Sequence, residues 1–221
     1  MASAGYSSTL KVTGAAVAVL AEATSDLGSN RFQITNSAKR IFDLSAAVVV
    51  YDGGVPVDEA DYQLNPVFGI VTFDAPPGGA VTVDFSYLPL LSVAEVRQAS
   101  FSCVRTMLDD TTFDSSGARH RKAGLKDCSG TWEQLALLSD DIDPGGGTRI
   151  LLTALENGTL LCYELVAGGG TFRALFVIAS EGQAVAVDDL VKGNVSWQAS
   201  RPEITTAGLR VDRLFGFSSW T

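Results

Sequence analysis

The stretch from Thr112 to Glu133, TFDSSGARHRKAGLKDCSGTWE, holds most of the side chains in this sequence that could do chemistry. Arg119, His120, Arg121, Lys122 and Lys126 fall within eight residues, and His120 is the sole histidine among 221 residues. Imidazole ordinarily titrates near neutrality, so a hydrolytic triad would have to be built on His120. A triad also needs a nucleophile held on a sharp turn. The sequence has no Gly-x-Ser-x-Gly, and Cys128 lies in a polar neighbourhood. A solvated loop histidine is the reading that fits.

Other candidate chemistries fare no better. Cys103, Cys128 and Cys162 are odd in number and widely spaced, with no Cys-x-x-Cys, so they indicate neither a disulfide framework nor a zinc site. Cys103 in FSCVRTML and Cys162 in TLLCYEL lie in apolar runs and read as buried, inert thiols of a reducing compartment. Asp140, Asp141 and Asp143 lack the alternate-acid spacing and closing Glu of a calcium loop. The glycine triplets Gly145–Gly147 and Gly168–Gly170 are not followed by Lys-Ser/Thr, which makes them turns rather than phosphate cradles. No catalytic residue, cofactor or metal ligand is assigned. The expectation is a binding or assembly module and not an enzyme.

Composition supports that class. Hydrophobic residues make up 46% and charged residues 19%, with 22 glycines, as in a folded, β-rich globular chain. Sixteen Lys and Arg against twenty-five Asp and Glu leave a net charge of −9, which repels polyphosphate and argues against a general nucleic-acid binder. GAAVAVLAEA (Gly14–Ala23) has the look of a short signal peptide, but its apolar run is short and its leading segment carries only Lys11. No run approaches the ~18 apolar residues of a membrane helix, and the protein is expected in the cytoplasm with no membrane partner.

The elements that must position these residues are mostly strands. AAVVVYDGGVPV places Asp52-Gly53-Gly54 between two β-branched runs, and DYQLNPVFGIVTF turns at Asn65-Pro66. After Pro76-Pro77-Gly78-Gly79, Val81, Val83, Phe85 and Tyr87 alternate with polar residues, as in a half-buried antiparallel strand. From Glu95 the alternation lengthens, and SGTWEQLALL (Ser129–Leu138) is the expected antiparallel partner across the basic stretch. TRILLTALENG reads as a helix over about 148–157, with Thr148 as N-cap and Asn157-Gly158 as its stop. TLLCYELV, TFRALFVIAS and LVKGNVSWQAS return to strands. The predicted fold is mainly β: an antiparallel β-sandwich or partly closed barrel with one flanking helix, preceded by N-terminal hairpins. Residues 1–94 form the hairpin region, either separate from or packed into the same domain as the core, 95–221.

In their order along the chain these segments resemble a known family. MASAGYSSTLKVTG, FQITNSAKRIFD, VVVYDGG, DYQLNPVFGIVTFD and VTVDFSYLP look like the N-terminal part of major tail proteins of long-tailed bacteriophages and prophages. MLDDTTFDSSGARHRKAGLKDCSGTWE is similar to that family's tube-forming core, and LLTALENGTLLCYEL, TFRALFVIAS and VDDLVKGNVSWQAS follow in the family's order. The resemblance spans nearly the whole chain and carries no catalytic residues.

The resemblance implies a homohexameric ring, stacking of rings into a tail tube, and a lumen through which DNA passes without specific binding. It also implies tape-measure, tail-terminator and tail-tip proteins as partners, and a virion-tail location after assembly in the host cytoplasm. Thr112–Asp127 is then expected as a long mobile loop, with Thr112, Arg119, His120, Arg121, Lys122, Lys126 and Asp127 at the contact between rings. The apolar C-terminal segment, with Leu209, Val211, Phe215, Phe217 and Trp220, is expected at a subunit interface or sheet edge. The alternative is a β-sandwich binding module for surface attachment or carbohydrate, with Trp132, Trp197 and Trp220 as an exposed platform.

Overall fold

The computed structural model describes residues 9–92, 96–109, 121–136, 153–167, 170–185, 191–200, 208–212 and 215–218. The strands are β1 (Thr9–Thr13), β2 (Val17–Gly28), β3 (Arg31–Ile34), β4 (Val49–Asp52), β5 (Val55–Pro56), β6 (Tyr62–Asn65), β7 (Ile70–Phe73) and β8 (Val81–Tyr87). They continue as β9 (Leu90–Ser92), β10 (Val96–Asp109), β11 (Arg121–Ala136), β12 (Leu161–Ala167), β13 (Gly170–Val185), β14 (Val191–Ala199), β15 (Arg210–Val211) and β16 (Phe215–Ser218). Between β11 and β12, residues 153–157 are helical among the described residues.

The fold is mainly β, as the sequence pattern predicts, in two curled sheets. The first has the order β10-β11-β14-β13-β12-β1-β9, and β16 pairs with Thr171–Ala174 of β13. The second has the order β15-β6-β7-β3-β2-β8-β4-β5 and is antiparallel except where β15 runs parallel to β6. Strand pairing crosses the expected boundary at residue 94 twice. β1 and β9 belong to the first sheet, while β15 returns to the second.

Local chemistry explains the turns. Gly53 and Gly54 take φ of 58° and 85°, the left-handed pair that a two-residue β4–β5 hairpin requires. The helix ends where Asn157-Gly158 predicts: Gly158 has φ 63°, and the Thr159 amide donates to the Ala154 carbonyl at 2.9 Å. The proposed cap Thr148 lies outside the described residues. The signal-like Gly14–Ala23 stretch instead enters β2, whose Ala21 amide donates to Asp84 Oδ1 at 2.6 Å.

Each sheet buries its own core. In the first, Trp132, Tyr163, Phe176 and Trp197 pack together, with the rings of Tyr163 and Trp197 centred 4.7 Å apart. In the second, Ile34, Val50, Tyr62, Leu64 and Val83 are fully enclosed. The sheets meet through Ile41, Val67, Phe68 and Ile70 on one side and Cys162 and Leu175 on the other. A buried ion pair reinforces that junction. Arg173 donates to Glu164 Oε2 from Nε at 2.8 Å and from Nη2 at 2.6 Å, while its Nη1 reaches the Val67 carbonyl at 2.9 Å. Lys11 Nζ approaches the other Glu164 oxygen at 3.2 Å.

Candidate assembly interface

Arg121, Lys122, Lys126 and Asp127 do not lie in a loop. β11 begins at Arg121, eight residues before the expected Ser129, and pairs with β10 along its length. Arg121 stands opposite Asp109, Lys122 opposite Leu108, Lys126 opposite Arg105 and Asp127 opposite Val104. The strand absorbs Gly124 through a register shift between Arg105 and Met107, so a glycine that reads as loop punctuation marks a bulge instead. Thr112, Arg119 and His120 lie outside the described residues.

The β10–β11 pair has two parts. From Ser129 to Ala136, β11 is flanked on its second side by β14, and its inward residues Trp132 and Cys128 are buried. Beyond Ser129, towards Arg121, β14 no longer accompanies it. Among the described residues, Cys103–Asp109 and Arg121–Cys128 thus continue as a two-stranded ribbon. On β10 every residue from Ser102 to Met107 is exposed, and because successive strand residues point to opposite faces, both faces of that strand meet solvent. Val104 and Met107 are 60% and 55% exposed. β10 also ends the sheet, so among the described residues a strand of fourteen residues presents an unpaired edge.

A disulfide joins Cys103 to Cys128, whose Cα atoms face each other at 4.1 Å across the β10–β11 ladder. This corrects two expectations, that Cys103 is a buried, inert thiol and that the cysteines form no disulfide. Their separation of 25 residues hides a direct cross-strand pairing. Cys162 is a buried free thiol, as expected, and burial pushes its pKa up to about 12, so it is a poor nucleophile.

The C-terminal residues divide between the two sheets. Leu209 is buried among the core residues of the second sheet and Val211 packs against it. Leu209 therefore serves its own chain's core and is not free to meet a neighbour. Phe215 and Phe217 stand opposite Ala174 and Phe172 in the β16–β13 pairing. Trp220 lies outside the described residues. Trp132 and Trp197, each 2% exposed, are core residues, which removes two of the three rings of the carbohydrate platform. Asp140, Asp141 and Asp143 also lie outside the described residues, and among the described ones no group of three His, Cys, Asp or Glu is placed to hold a metal.

No family model and no curated protein matches this chain. Among solved structures it is similar to a chain in the virion of a native gene transfer agent particle, at 12% identity and a TM-score of 0.45, covering 59% of this chain and 89% of that one. It is also similar to a chain in the tail of an empty gene transfer agent particle of C6 symmetry, at 15% identity and a TM-score of 0.42, covering 53% and 87%.

Proposed function

We propose that this chain is a structural subunit of a tail tube of the long-tailed phage kind, forming hexameric rings that stack into a conduit for the genome. The observation that carries the reading is that, among the described residues, β10 has an unpaired edge and is exposed on both faces from Ser102 to Met107. A long open edge is a template for a strand of another chain, and soluble proteins ordinarily cover or interrupt one. Pairing of that edge with a different edge of the next copy is a heterologous contact, which closes into a ring when the rotation permits. The order of the segments that resemble major tail proteins supports the same reading.

Stacking falls to the basic stretch. Thr112, Arg119, His120, Arg121, Lys122, Lys126 and Asp127 form the inter-ring contact, and its cations meet the carboxylates of a subunit whose net charge is −9. Such pairs set orientation and partner choice more than affinity. The same acidic excess weakens adsorption of DNA to a lumen wall. The partners of the finished tube are the tape-measure, terminator and tip proteins.

Negative-stain microscopy and light scattering of the purified full chain test the proposal. Rings or tubes are expected, and a monomer at every concentration would sink it. Replacing Arg119, Arg121 and Lys122 with Glu is expected to leave folded rings that no longer stack. Tubes of normal length from that variant return the cluster to ordinary solvated charge.

A further inference from the structure

The Cys103–Cys128 disulfide sits where β11 loses its second neighbour: Ser129 still faces Gln198 of β14, and Cys128 is the next residue outwards. We infer that this disulfide is a redox-operated staple that holds the β10–β11 ribbon in order. Its consequence for ring stacking rests on the tube reading above.

The ribbon needs such a device. A two-stranded β-ribbon in water is marginally stable without a third strand or an apolar face. Here both faces of β10 are exposed from Ser102 to Met107, and two residues past the disulfide the register sets Arg105 opposite Lys126, two cations in directly facing positions. Gly124 and the register shift beside it weaken the ladder further. A covalent link at Cys103 and Cys128 fixes register at the root and lowers the ordering cost of docking the ribbon on a partner.

The two sulfurs differ in access. Cys103 is an exposed residue and Cys128 is fully buried. A small thiolate attacks Sγ of Cys103, the S–S bond breaks, and Cys128 leaves as a thiolate that takes up a proton. A second small thiolate attacks the small-molecule sulfur of the mixed disulfide and releases Cys103, which is protonated in turn. The protein disulfide has gained two electrons and two protons, and two small thiols have become one small disulfide. The reverse exchange, with a small disulfide as oxidant, closes the staple. Cys162 is buried in the other half of the sheet and takes no part.

Hydrogen exchange read by mass spectrometry on the full chain tests this, in buffers poised with reduced or oxidised glutathione. Reduction is expected to speed exchange of the amides in 103–109 and 121–128 by about tenfold or more while β12 and β13 keep their protection. Oxidised glutathione should restore the slow rate in the natural chain, and the double variant Cys103→Ser, Cys128→Ser should stay fast in both buffers. Unchanged exchange on reduction overturns the inference, as does an equal acceleration throughout β12 and β13, which would make the link a staple of the whole fold. Stacking is read separately. A threshold concentration for tubes that rises about tenfold on reduction supports the link to assembly, and equal thresholds refute that link. Faster ribbon exchange with no assembly in either buffer overturns the tube reading and leaves the staple standing.

Discussion

The indole of Trp197 lies directly over the backbone of Gly130, its cross-strand neighbour on β11, so that a Cβ there would fall 2.5 Å from Trp197 Cζ2 and collide with the Ser100 carbonyl oxygen. The glycine is the space into which the ring packs, between β10 and β14. Gly130→Ala is expected to destabilise the fold by ~1–3 kcal/mol, the range for forcing extra volume into a packed core. Thermal or urea unfolding measures it, and a loss under ~0.5 kcal/mol, typical of a surface change, would show that both the ring and the β10 backbone at Ser100 can move aside.

Arg173 is the one cation buried in the junction between the sheets among the described residues, and Glu164 is its anion. Arg173→Met leaves Glu164 with only the partly exposed Lys11, and removes the donor to the Val67 carbonyl. Breaking a buried pair from one side typically costs ~3–5 kcal/mol, because the other charge stays behind. Adding Glu164→Gln should recover part of that loss. If the double variant is no more stable than the single, the uncompensated carboxylate is not the cause.

Much of the scaffold is legible in the sequence. Asp52-Gly53-Gly54 and Asn65-Pro66 fix their hairpins locally, and the alternation of Val81–Tyr87 reappears as alternate burial of Val81, Val83 and Phe85. What is hidden depends on partners distant in sequence. β2 is exposed at most positions and shows little alternation, so an apolar fragment of it mimics a signal peptide. The Cys103–Cys128 pairing follows from a register set along the whole β10–β11 ladder, and Gly124, set between the charged Lys122 and Lys126, disguises the first third of β11. Leu209 belongs to a core whose other members lie more than a hundred residues earlier.

Asp74 ties β15 to the second sheet. Arg210 donates to it from Nη1 at 2.6 Å and from Nη2 at 3.2 Å, and that hydrogen bonding holds the Asp74 carboxyl below its ordinary pKa. A depressed carboxylate pKa contributes stability that is present above the unfolded value and disappears as pH falls through the folded one. Both groups are exposed, so the effect should be local. Protection of the Asp212 amide, which donates to the Leu64 carbonyl at 2.9 Å, is the probe. It is expected to hold at neutral pH and drop on acidification, after correction for intrinsic exchange. Asp74→Asn should lower it at neutral pH, and an unchanged rate in that variant would assign the anchoring of β15 to its other contacts, Leu209 and Val211 in the core and the Arg210 bond to the Ala60 carbonyl.

The open edge of β10 gives the sharpest separation between folding and assembly. Val104 and Met107 are exposed in the single chain, so replacing both with Lys removes no core contact and should change unfolding free energy by less than ~0.5 kcal/mol per site. Charged side chains on an edge strand are a common means of blocking edge-to-edge pairing. Lateral closure into rings is therefore expected to fail in Val104→Lys, Met107→Lys while the monomer melts like the natural chain. The charge reversal at Arg119, Arg121 and Lys122 should do the opposite, leaving rings and abolishing stacking. Light scattering and microscopy on the two variants side by side distinguish the contacts. Rings of normal size from the lysine variant would place the lateral contact elsewhere than on this edge.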